Sequence, residues 1–300
     1  MTFNSWLCGT EVEDGLEKII KHIEKVNPDV VALQEINYYE ETSCYPNITK
    51  LLGTNWHSQL RNATGYPDTA LFSRWPIISG SHFQTDYGMS MKIQFPVKQG
   101  TLAISVWSVH FDYRSYGPDA ACNKMCTDEA QIMAGELGTH DEPGRARNAM
   151  HIANSAQFQD ALRKKDSEPL ILMGDFNSPS SLDWIESASS LHCGWTMPWP
   201  APDTFYRLGF TDSFRELNPD PITNPGNTWS TVNKGLSDFG YLLPTPQDRI
   251  DLILYASKRL KTVNSRVYFG TEPLLPMPNH THNDWPSDHA SVITEFQILL

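Results

Sequence analysis

Short apolar runs that end in polar residues recur along the chain. The clearest run, LILMGDFN at residues 170–177, has the length and apolarity of a buried strand and delivers Asp175 and Asn177 from its carboxyl end. The run DVVALQE at residues 29–35 has the same form and ends in Glu35. Because a sheet fixes geometry that a free loop does not, we expect an active site at these strand ends.

Helical periodicity alternates with these strands. Apolar residues on one face predict a helix that begins with Thr10 and Glu13 in capping-box spacing and ends before Asn27. A second helix is predicted over residues 145–165. The stretches 113–144 and 195–246 lack such periodicity and are interpreted mainly as loop. Short helical pieces are predicted near residues 182–187 and 212–217.

Eight further segments are interpreted as strands, and residues 266–270 are expected to pair with the one at 249–255. Because strands and helices alternate without a shift in composition, the sequence favours an α/β fold in a single domain, residues 1–300. The further strands are expected at residues 1–7, 55–61, 68–74, 77–83, 89–95, 101–109, 249–255 and 290–296.

Composition and charge limit the classes of partner. The 300 residues are 40% hydrophobic, which is enough for a sizeable core, and no apolar run approaches the roughly 20 residues of a transmembrane segment. The formal charge of -12 gives no global basic field, so nucleic-acid binding is possible but requires a local patch or metal ions. Oligomeric state is left open.

Cysteine usage and glycosylation patterns bear on the compartment. Cys122 and Cys126 are interpreted as a local disulfide or as two ordinary thiols, with the disulfide favoured. Asn47, Asn62 and Asn279 each begin an Asn-x-Thr acceptor pattern for glycosylation. These features favour a secreted protein whose signal segment has been removed, with a cytoplasmic location as the alternative.

Eight polar residues lie in or at the ends of predicted strands, and a layered fold can bring them to one rim. When each residue is considered alone, a structural role is the favoured interpretation. Asn4 is then a satisfied structural amide, His110 a core or surface imidazole, and the other residues are helix caps, strand-end turns and surface charges. Taken together, four carboxylates repel one another unless a cation lies among them, and oxygen ligands favour Mg²⁺, with Ca²⁺ or Mn²⁺ as alternatives. The eight residues are Asn4, Glu35, His110, Asp175, Asn177, Asp251, Asp288 and His289.

Seven short motifs occur in an order that resembles the endonuclease/exonuclease/phosphatase superfamily, which includes pancreatic-type deoxyribonucleases and neutral sphingomyelinases. This resemblance covers nearly the whole chain. It implies a four-layer α/β sandwich of the DNase I type, in which two central mixed β-sheets are flanked by helices and the active site lies at one end. The motifs are TFN at residues 2–4, ALQE at 32–35, LFSRWPI at 71–77, SVH at 108–110, GDFN at 174–177, RID at 249–251 and SDH at 287–289.

The resemblance also implies roles for the strand-end residues. Glu35 is similar to the main metal ligand, with Asn4 and Asp288 near the same cation. Asp175 is similar to the residue that orients or deprotonates the attacking water, and Asn177 to one that holds a phosphate oxygen.

Two histidines complete the implied site. Asp251 and His289 resemble a carboxylate–imidazole pair that acts on the nucleophile or on the phosphoryl oxygens. His110 resembles a general acid for the leaving oxygen, which is a feature of the deoxyribonuclease and sphingomyelinase branches.

The implied function is divalent-metal-dependent phosphodiester hydrolysis, with a small molecule or a lipid headgroup as the favoured substrate. The alternatives are a Mg²⁺-dependent DNase I-like endonuclease and a catalytically silent binding protein of the same fold. Two tracts, residues 110–126 and 276–289, match neither deoxyribonucleases nor inositol phosphatases, and resemble a group of secreted bacterial, fungal and invertebrate relatives.

Two weaker interpretations concern loops. His280, His282, Asp284 and His289 have the residue types of a transition-metal site, although a solvated turn is the favoured interpretation. A further set of residues is interpreted either as a substrate rim or, preferably, as ordinary packing. These are Tyr113, Arg114, Tyr116, Trp229 and Trp285.

Overall fold

A computed structural model describes residues 1–38, 42–62, 68–98 and 100–299. Within this part of the chain, twelve strands form two six-stranded sheets. The strands are β1 Thr2–Asn4, β2 Val30–Gln34, β3 His57–Leu60, β4 Ala70–Ser73, β5 Phe83–Thr85, β6 Gly88–Val97, β7 Gly100–His110, β8 Leu170–Asp175, β9 Thr211–Asp212, β10 Asp251–Ala256, β11 Leu260–Tyr268 and β12 Ser291–Ile298.

Helices cover the outer faces of both sheets. The inner faces contribute Ala32 and Leu71 from one sheet and Val106, Met173 and Ile253 from the other to a shared core. The resulting order is helix, sheet, sheet, helix, which confirms the predicted four-layer sandwich. The helices are α1 Trp6–Gly9, α2 Gly15–Val26, α3 Tyr45–Leu52, α4 Gly117–Cys122, α5 Glu129–Leu137, α6 Arg145–Asn154, α7 Ala156–Lys164, α8 Pro200–Arg207 and α9 Ser213–Leu217.

Strand order and register align the strand ends. The sheets have the orders β11-β12-β1-β2-β4-β3 and β5-β6-β7-β8-β10-β9. In the second sheet, β7 runs parallel to β8 with His110 opposite Asp175, and β10 runs antiparallel to β8 with Asp251 opposite Asp175. In the first sheet, Asn4 lies opposite Gln34, the residue before Glu35. The register therefore brings five predicted site residues to one edge of the sandwich.

Several predicted elements were wrong in detail. The first helix begins at Gly15 with Asp14 as its N-cap, so Thr10 and Glu13 form no capping box. The predicted helix over residues 145–165 is interrupted at Ser155, whose hydroxyl accepts from the Phe158 amide and caps the second half. The stretch 77–83 joins the sheet only through a bridge at Ile77 before β5 begins.

The predicted loops contain more structure than the sequence indicated. α4 and α5 lie within residues 113–144 and α8 lies within 195–246, whereas α9 confirms the helical piece predicted at 212–217. These helices are short and bury few residues each, so their periodicity is weak in the sequence. The strand near residues 266–270 also pairs differently, because β11 pairs with β12 and not with β10.

The disulfide pattern corrects the cysteine prediction. Cys122 pairs with Cys193, and Cys8 pairs with Cys44, while Cys126 is a free, buried thiol. A local Cys122–Cys126 bridge was therefore wrong. Cys126 instead packs in an apolar cluster with Trp184 and Trp199, and a partner 71 residues away is not visible from local spacing.

Candidate active site

Asp175, the last residue of β8, lies at the centre of the site. Its side chain is 1% exposed and accepts hydrogen bonds from Asn4 Nδ2 at 2.9 Å and from the Asn177 amide at 2.8 Å. Burial raises the pKa of Asp175, and the nearby Asp251 carboxylate raises it further. Proton affinity is thus enhanced at this carboxylate.

His110, at the end of β7, forms the first imidazole–carboxylate pair. Its Nδ1 donates to Asp68 Oδ1 at 2.9 Å, and its Nε2 lies 3.6 Å from Asp175 Oδ2 and 3.9 Å from Glu35 Oε1. Burial lowers the pKa of His110, but the carboxylates, led by Asp68, outweigh this effect and raise it to about 10. His110 is therefore protonated at neutral pH and is able to act as an acid.

Sequence reasoning missed Asp68. It lies just before β4, which pairs antiparallel with β2, so the start of β4 lies at the same edge as the end of β2. The signal that was available is a carboxylate at the start of a strand that neighbours a strand ending in Glu35. A pattern search restricted to carboxyl ends of strands does not find such a residue.

His289 and Asp251 form the second pair. His289 Nδ1 donates to Asp251 Oδ2 at 2.9 Å, and His289 Nε2 lies 3.8 Å from Asp175 Oδ2. Burial lowers the pKa of His289, whereas Asp251 and then Asp175 raise it, so that it lies well above its usual value. The Trp229 ring packs against this imidazole with centroids 4.9 Å apart.

Glu35 directly follows β2 and has a left-handed backbone with φ of 54°. Its carboxylate accepts from Asn4 Nδ2 at 3.0 Å and from the Leu7 amide at 3.2 Å. Asn4 Oδ1 accepts from the Trp6 amide at 3.0 Å, so the amide nitrogen of Asn4 faces the carboxylates. In this arrangement Asn4 holds Glu35 and Asp175 together, and its role as a metal ligand stays a prediction.

Asp288 and Asn177 complete the predicted set. Burial raises the pKa of Asp288 to about 7, and Glu35 and Asp175 add to this rise against the opposing effect of His289. Asn177 has φ of 46° and donates through Nδ2 to the Phe111 carbonyl at 3.0 Å, which uses one of its two amide hydrogens. The structure thus groups all eight predicted residues around Asp175, while their roles remain predictions.

The donor set fits a divalent cation. Among the described residues, ligand atoms of Asp175, Asp251 and His289 lie within 4.8 Å of one another. Asp251 Oδ1 is buried and accepts no hydrogen bond from the described residues, and the pKa of Asp175 is raised first by burial and then by the Asp251 carboxylate. A divalent cation beside these carboxylates, held by Glu35 and Asp288 as the sequence predicts, would reduce their mutual repulsion.

A cleft of about 720 Å³ opens beside His110 and Glu35. Of the proposed rim residues, Tyr113 lines this cleft with its side chain 71% exposed, and Arg114 is bound to Asp112 and Glu142. Tyr116 is instead directed inward and donates to Asp248 Oδ2. Trp285 is 1% exposed and stacks on Phe3, so for this residue packing is the correct interpretation.

The four residues of the possible transition-metal site have separate partners. His280 is buried beside the Trp6 ring, His282 pairs with Glu13, and Asp284 pairs with Lys21. The one metal-type cluster found among the described residues includes His289 but none of the other three. Among the described residues these four side chains do not converge on one metal site. The favoured interpretation as a solvated turn fits His282, which is exposed, but not His280, which is buried.

Fold and site together define a DNase I-like α/β sandwich with a buried acid–base cluster at one end. The model of the Endonuclease/Exonuclease/phosphatase family matches residues 1–289, and the chain belongs to this family. Members of this family are hydrolases that act on phosphoester bonds. The resemblance recognised in the motifs is thereby confirmed.

Individual relatives span most of the chain. An uncharacterised protein of Caenorhabditis elegans is 40% identical over 299 residues, which cover 100% of this chain and 91% of the relative. Exodeoxyribonuclease III of Haemophilus influenzae is 27% identical over 295 residues, 92% of each chain. A solved 3′ phosphatase from Neisseria, bound to a product DNA hairpin, aligns with a TM-score of 0.56 at 20% identity, covering 99% of this chain and 98% of that chain.

A solved AP endonuclease from Archaeoglobus fulgidus aligns with a TM-score of 0.57 at 15% identity, again over 99% of this chain and 98% of that chain. At these identities the two solved structures support the fold. None of the helices in the described ranges is long and apolar enough to cross a membrane.

Proposed function

We propose that this chain is a divalent-metal-dependent phosphodiesterase. The observation that carries the proposal is the convergence of two imidazole–carboxylate pairs on Asp175. His110 Nε2 and His289 Nε2 lie 3.6 and 3.8 Å from Asp175 Oδ2, and each ring is held by its own aspartate. Two acid–base groups on a buried carboxylate match the needs of phosphoester hydrolysis, which deprotonates a nucleophile and protonates a leaving group.

In this proposal, each residue has a separate task. Asp175 orients a water molecule for in-line attack on phosphorus and accepts its proton. His110, protonated because of Asp68, donates a proton to the leaving oxygen. His289 and the second amide hydrogen of Asn177 bind the phosphoryl oxygens.

A divalent cation held by Glu35 and Asp288 would neutralise charge on the phosphoryl group. Mg²⁺ is the favoured ion because the candidate ligands are carboxylate oxygens, with Ca²⁺ or Mn²⁺ as alternatives.

The charge of the cleft favours a small or lipid-headgroup phosphodiester over a long polyanion. Four carboxylates line it, and its two arginines are both engaged by them. Arg61 lies 3.7 Å from Asp68, and Arg114 is bound to Asp112. Nucleic-acid binding draws most of its affinity from basic groups on successive phosphates, which these arginines supply poorly.

A DNase I-like endonuclease is the second candidate. It is supported by the Haemophilus relative, whose name is exodeoxyribonuclease III, and by the family itself. Magnesium-dependent nicking of plasmid DNA that is lost in His110→Ala would favour this candidate over the first.

The test is hydrolysis of bis(4-nitrophenyl) phosphate with Mg²⁺, Mn²⁺, Ca²⁺ or EDTA. We expect metal-dependent turnover that falls about 100-fold or more in His110→Ala and in His289→Ala. His140→Ala is the matched control, because this imidazole is 99% exposed and lies outside the cleft. A panel of sphingomyelin, cyclic nucleotides, plasmid DNA, RNA and phosphomonoesters then ranks the substrates.

Two outcomes would contradict the proposal. Equal turnover in all variants would show that His110 and His289 take no part in the reaction. Metal binding without hydrolysis of any substrate in the panel would instead indicate a catalytically silent binding protein.

A secreted location is proposed on separate grounds. Two disulfides are present, and Asn47, Asn62 and Asn279 of the acceptor patterns are exposed, although Thr64 of the second pattern lies outside the described residues. Peptide mapping without reduction of protein made in a secretory host should recover Cys8–Cys44, Cys122–Cys193 and one free thiol. Recovery of five free thiols would contradict it.

A further inference from the structure

Residues 229–248 form an extended excursion that begins and ends beside the active site. Its base is closed by a bridge between Trp229 and Asp248, and its far end by a bridge between Gly235 and Pro244. Beyond that second bridge lies the segment that we call the apolar tip, residues 236–243, with the sequence LSDFGYLL. The Leu236 amide donates to the Leu243 carbonyl at 2.9 Å, so the tip is a closed turn.

The apolar tip exposes large apolar side chains to solvent. Leu242 is 85% exposed, more than any other large apolar side chain among the described residues, and Phe239 is 51% exposed. A neighbouring segment, tied to the excursion by the Met277 amide donating to the Val232 carbonyl at 3.0 Å, adds Leu275 at 55% exposure. Phe239 and Leu242 are large, exposed and three residues apart in one closed turn, which is the form of a surface that binds an apolar partner.

The base of the excursion lies on the rim of the active site. Trp229 forms a backbone bridge with His289, and its ring packs on the His289 imidazole. The Thr231 amide donates to the Asp288 carbonyl at 2.7 Å. A partner bound to the tip is therefore brought to the side of the molecule that holds His289 and Asp288.

We propose that the apolar tip inserts into a zwitterionic phospholipid surface. Leucine and aromatic residues, including Tyr241, are the types that partition into the boundary between headgroups and acyl chains. The tip contains no lysine or arginine, and the chain carries a net charge of -12, so an anionic surface repels it and a zwitterionic one does not. A bilayer at this position presents a headgroup phosphodiester to the rim, and this part of the argument rests on the proposed function.

This inference goes beyond the proposed function, because binding to vesicles is measured without hydrolysis. The test is co-sedimentation of the whole protein with phosphatidylcholine vesicles in EDTA. We expect wild type to bind. The partition coefficient of the double variant Phe239→Ser/Leu242→Ser should be lower than that of wild type by about tenfold or more. The matched control is Leu51→Ser/Val263→Ser, whose side chains are 44% and 51% exposed on α3 and β11, and it should bind like wild type.

Turnover of soluble bis(4-nitrophenyl) phosphate by the tip variant should equal that of wild type, which shows that the variant folds. Replacing half of the phosphatidylcholine with phosphatidylserine at low salt should weaken binding by wild type. Equal vesicle binding by wild type and the tip variant, or no binding by either, would overturn the proposal. A dimer of wild type that dissociates in the tip variant, seen by sedimentation velocity, would assign the tip to a second copy instead.

Discussion

At the scale of single residues, the protonation state of each of the two candidate catalytic imidazoles depends most on one hydrogen-bonded aspartate. His110 and His289 are both buried, which alone would favour the neutral ring, yet each donates to an aspartate that favours the charged ring. The aspartates therefore prepare the two imidazoles as acids. Asp68 is the clearer case, because its proposed action is on His110 alone.

Replacement of Asp68 with Asn should lower kcat about 10- to 100-fold, because the neutral amide no longer stabilises the imidazolium or holds the ring as firmly. Adding Asp68→Asn to His110→Ala should cause little further loss, since Asp68 acts through the ring. Steady-state kinetics with bis(4-nitrophenyl) phosphate measure both effects. Asp86→Asn, an exposed carboxylate in the same cleft, is the control, and full additivity of the two losses would rule out this coupling.

Asp248 allows a prediction about stability. This carboxylate is buried and accepts from Trp184 Nε1 at 2.8 Å and from the Tyr116 hydroxyl at 3.0 Å. Burial raises the pKa of Asp248 to about 7 from its usual 3.8. Between these two values the folded state holds a proton that the unfolded state has lost, so stability falls as the pH rises through this window.

Asp248→Asn removes this titration while keeping a group that is able to bond with Trp184 and Tyr116. The stability of the variant relative to wild type should increase from pH 4 to pH 7 and then level off, by about 4 kcal/mol at most. Urea unfolding in EDTA at several pH values measures the difference. If the difference stays constant across this range, Asp248 ionises in the folded protein much as it does in the unfolded chain.

At the scale of elements, the site depends on how closely β7 and β8 approach. Gly174, one residue before Asp175, has φ of 147°, and a Cβ placed there would lie 2.0 Å from the Val109 carbonyl oxygen. The Val109 oxygen is backbone in a paired strand and has little freedom to move. Glycine at this position therefore allows the register that sets Asp175 beside His110.

Gly174→Ala should destabilise the fold by about 3 kcal/mol or more, because it combines an unfavourable φ with a backbone clash. Gly80→Ala is the matched control, since Gly80 also has a positive φ of 73° but open space around the new Cβ. Its cost should be about 1 kcal/mol. Urea unfolding compares the two, and equal losses would show that the close approach to Val109 has no effect of its own.

Strand ends were predictable from the sequence where local pattern and site chemistry coincide. The apolar run 170–177 indicates a buried strand without reference to any partner, and β8 occupies Leu170–Asp175. Asp68 was not predictable in this way, because its contact with His110 depends on β4 pairing with β2 and on the two sheets packing together. The Cys122–Cys193 bridge likewise depends on a contact between the end of α4 and a segment 71 residues further along the chain.

At the scale of the whole molecule, charge is distributed unevenly between the site and its surroundings. Glu35, Asp175, Asp251 and Asp288 lie at one end of a chain that already carries a net charge of -12. Burial and the neighbouring Asp251 carboxylate raise the pKa of Asp175, and the opposing effects of His289 and His110 do not cancel this rise. Without a cation the site therefore destabilises the fold, and binding of a cation should stabilise it.

Addition of Mg²⁺, Mn²⁺ or Ca²⁺ to metal-free protein should raise the midpoint of thermal unfolding. At a concentration 100 times the dissociation constant, the gain is about 2.7 kcal/mol, which corresponds to a rise of about 4 °C for a chain of 300 residues. The variant Asp288→Asn should be at least as stable as wild type without metal and less stable than wild type with metal. It should unfold at the same or a higher temperature than wild type in EDTA, because one repelling charge is gone, and at a lower temperature in saturating metal.

Differential scanning calorimetry of both proteins, with and without metal, measures this crossing. Glu295→Gln, an exposed carboxylate on β12, serves as the control and should follow wild type in both conditions. If metal shifts the unfolding midpoint of Asp288→Asn as much as that of wild type, Asp288 does not bind the metal. The absence of any metal-dependent shift in wild type would mean that the cluster around Asp175 does not hold a divalent cation.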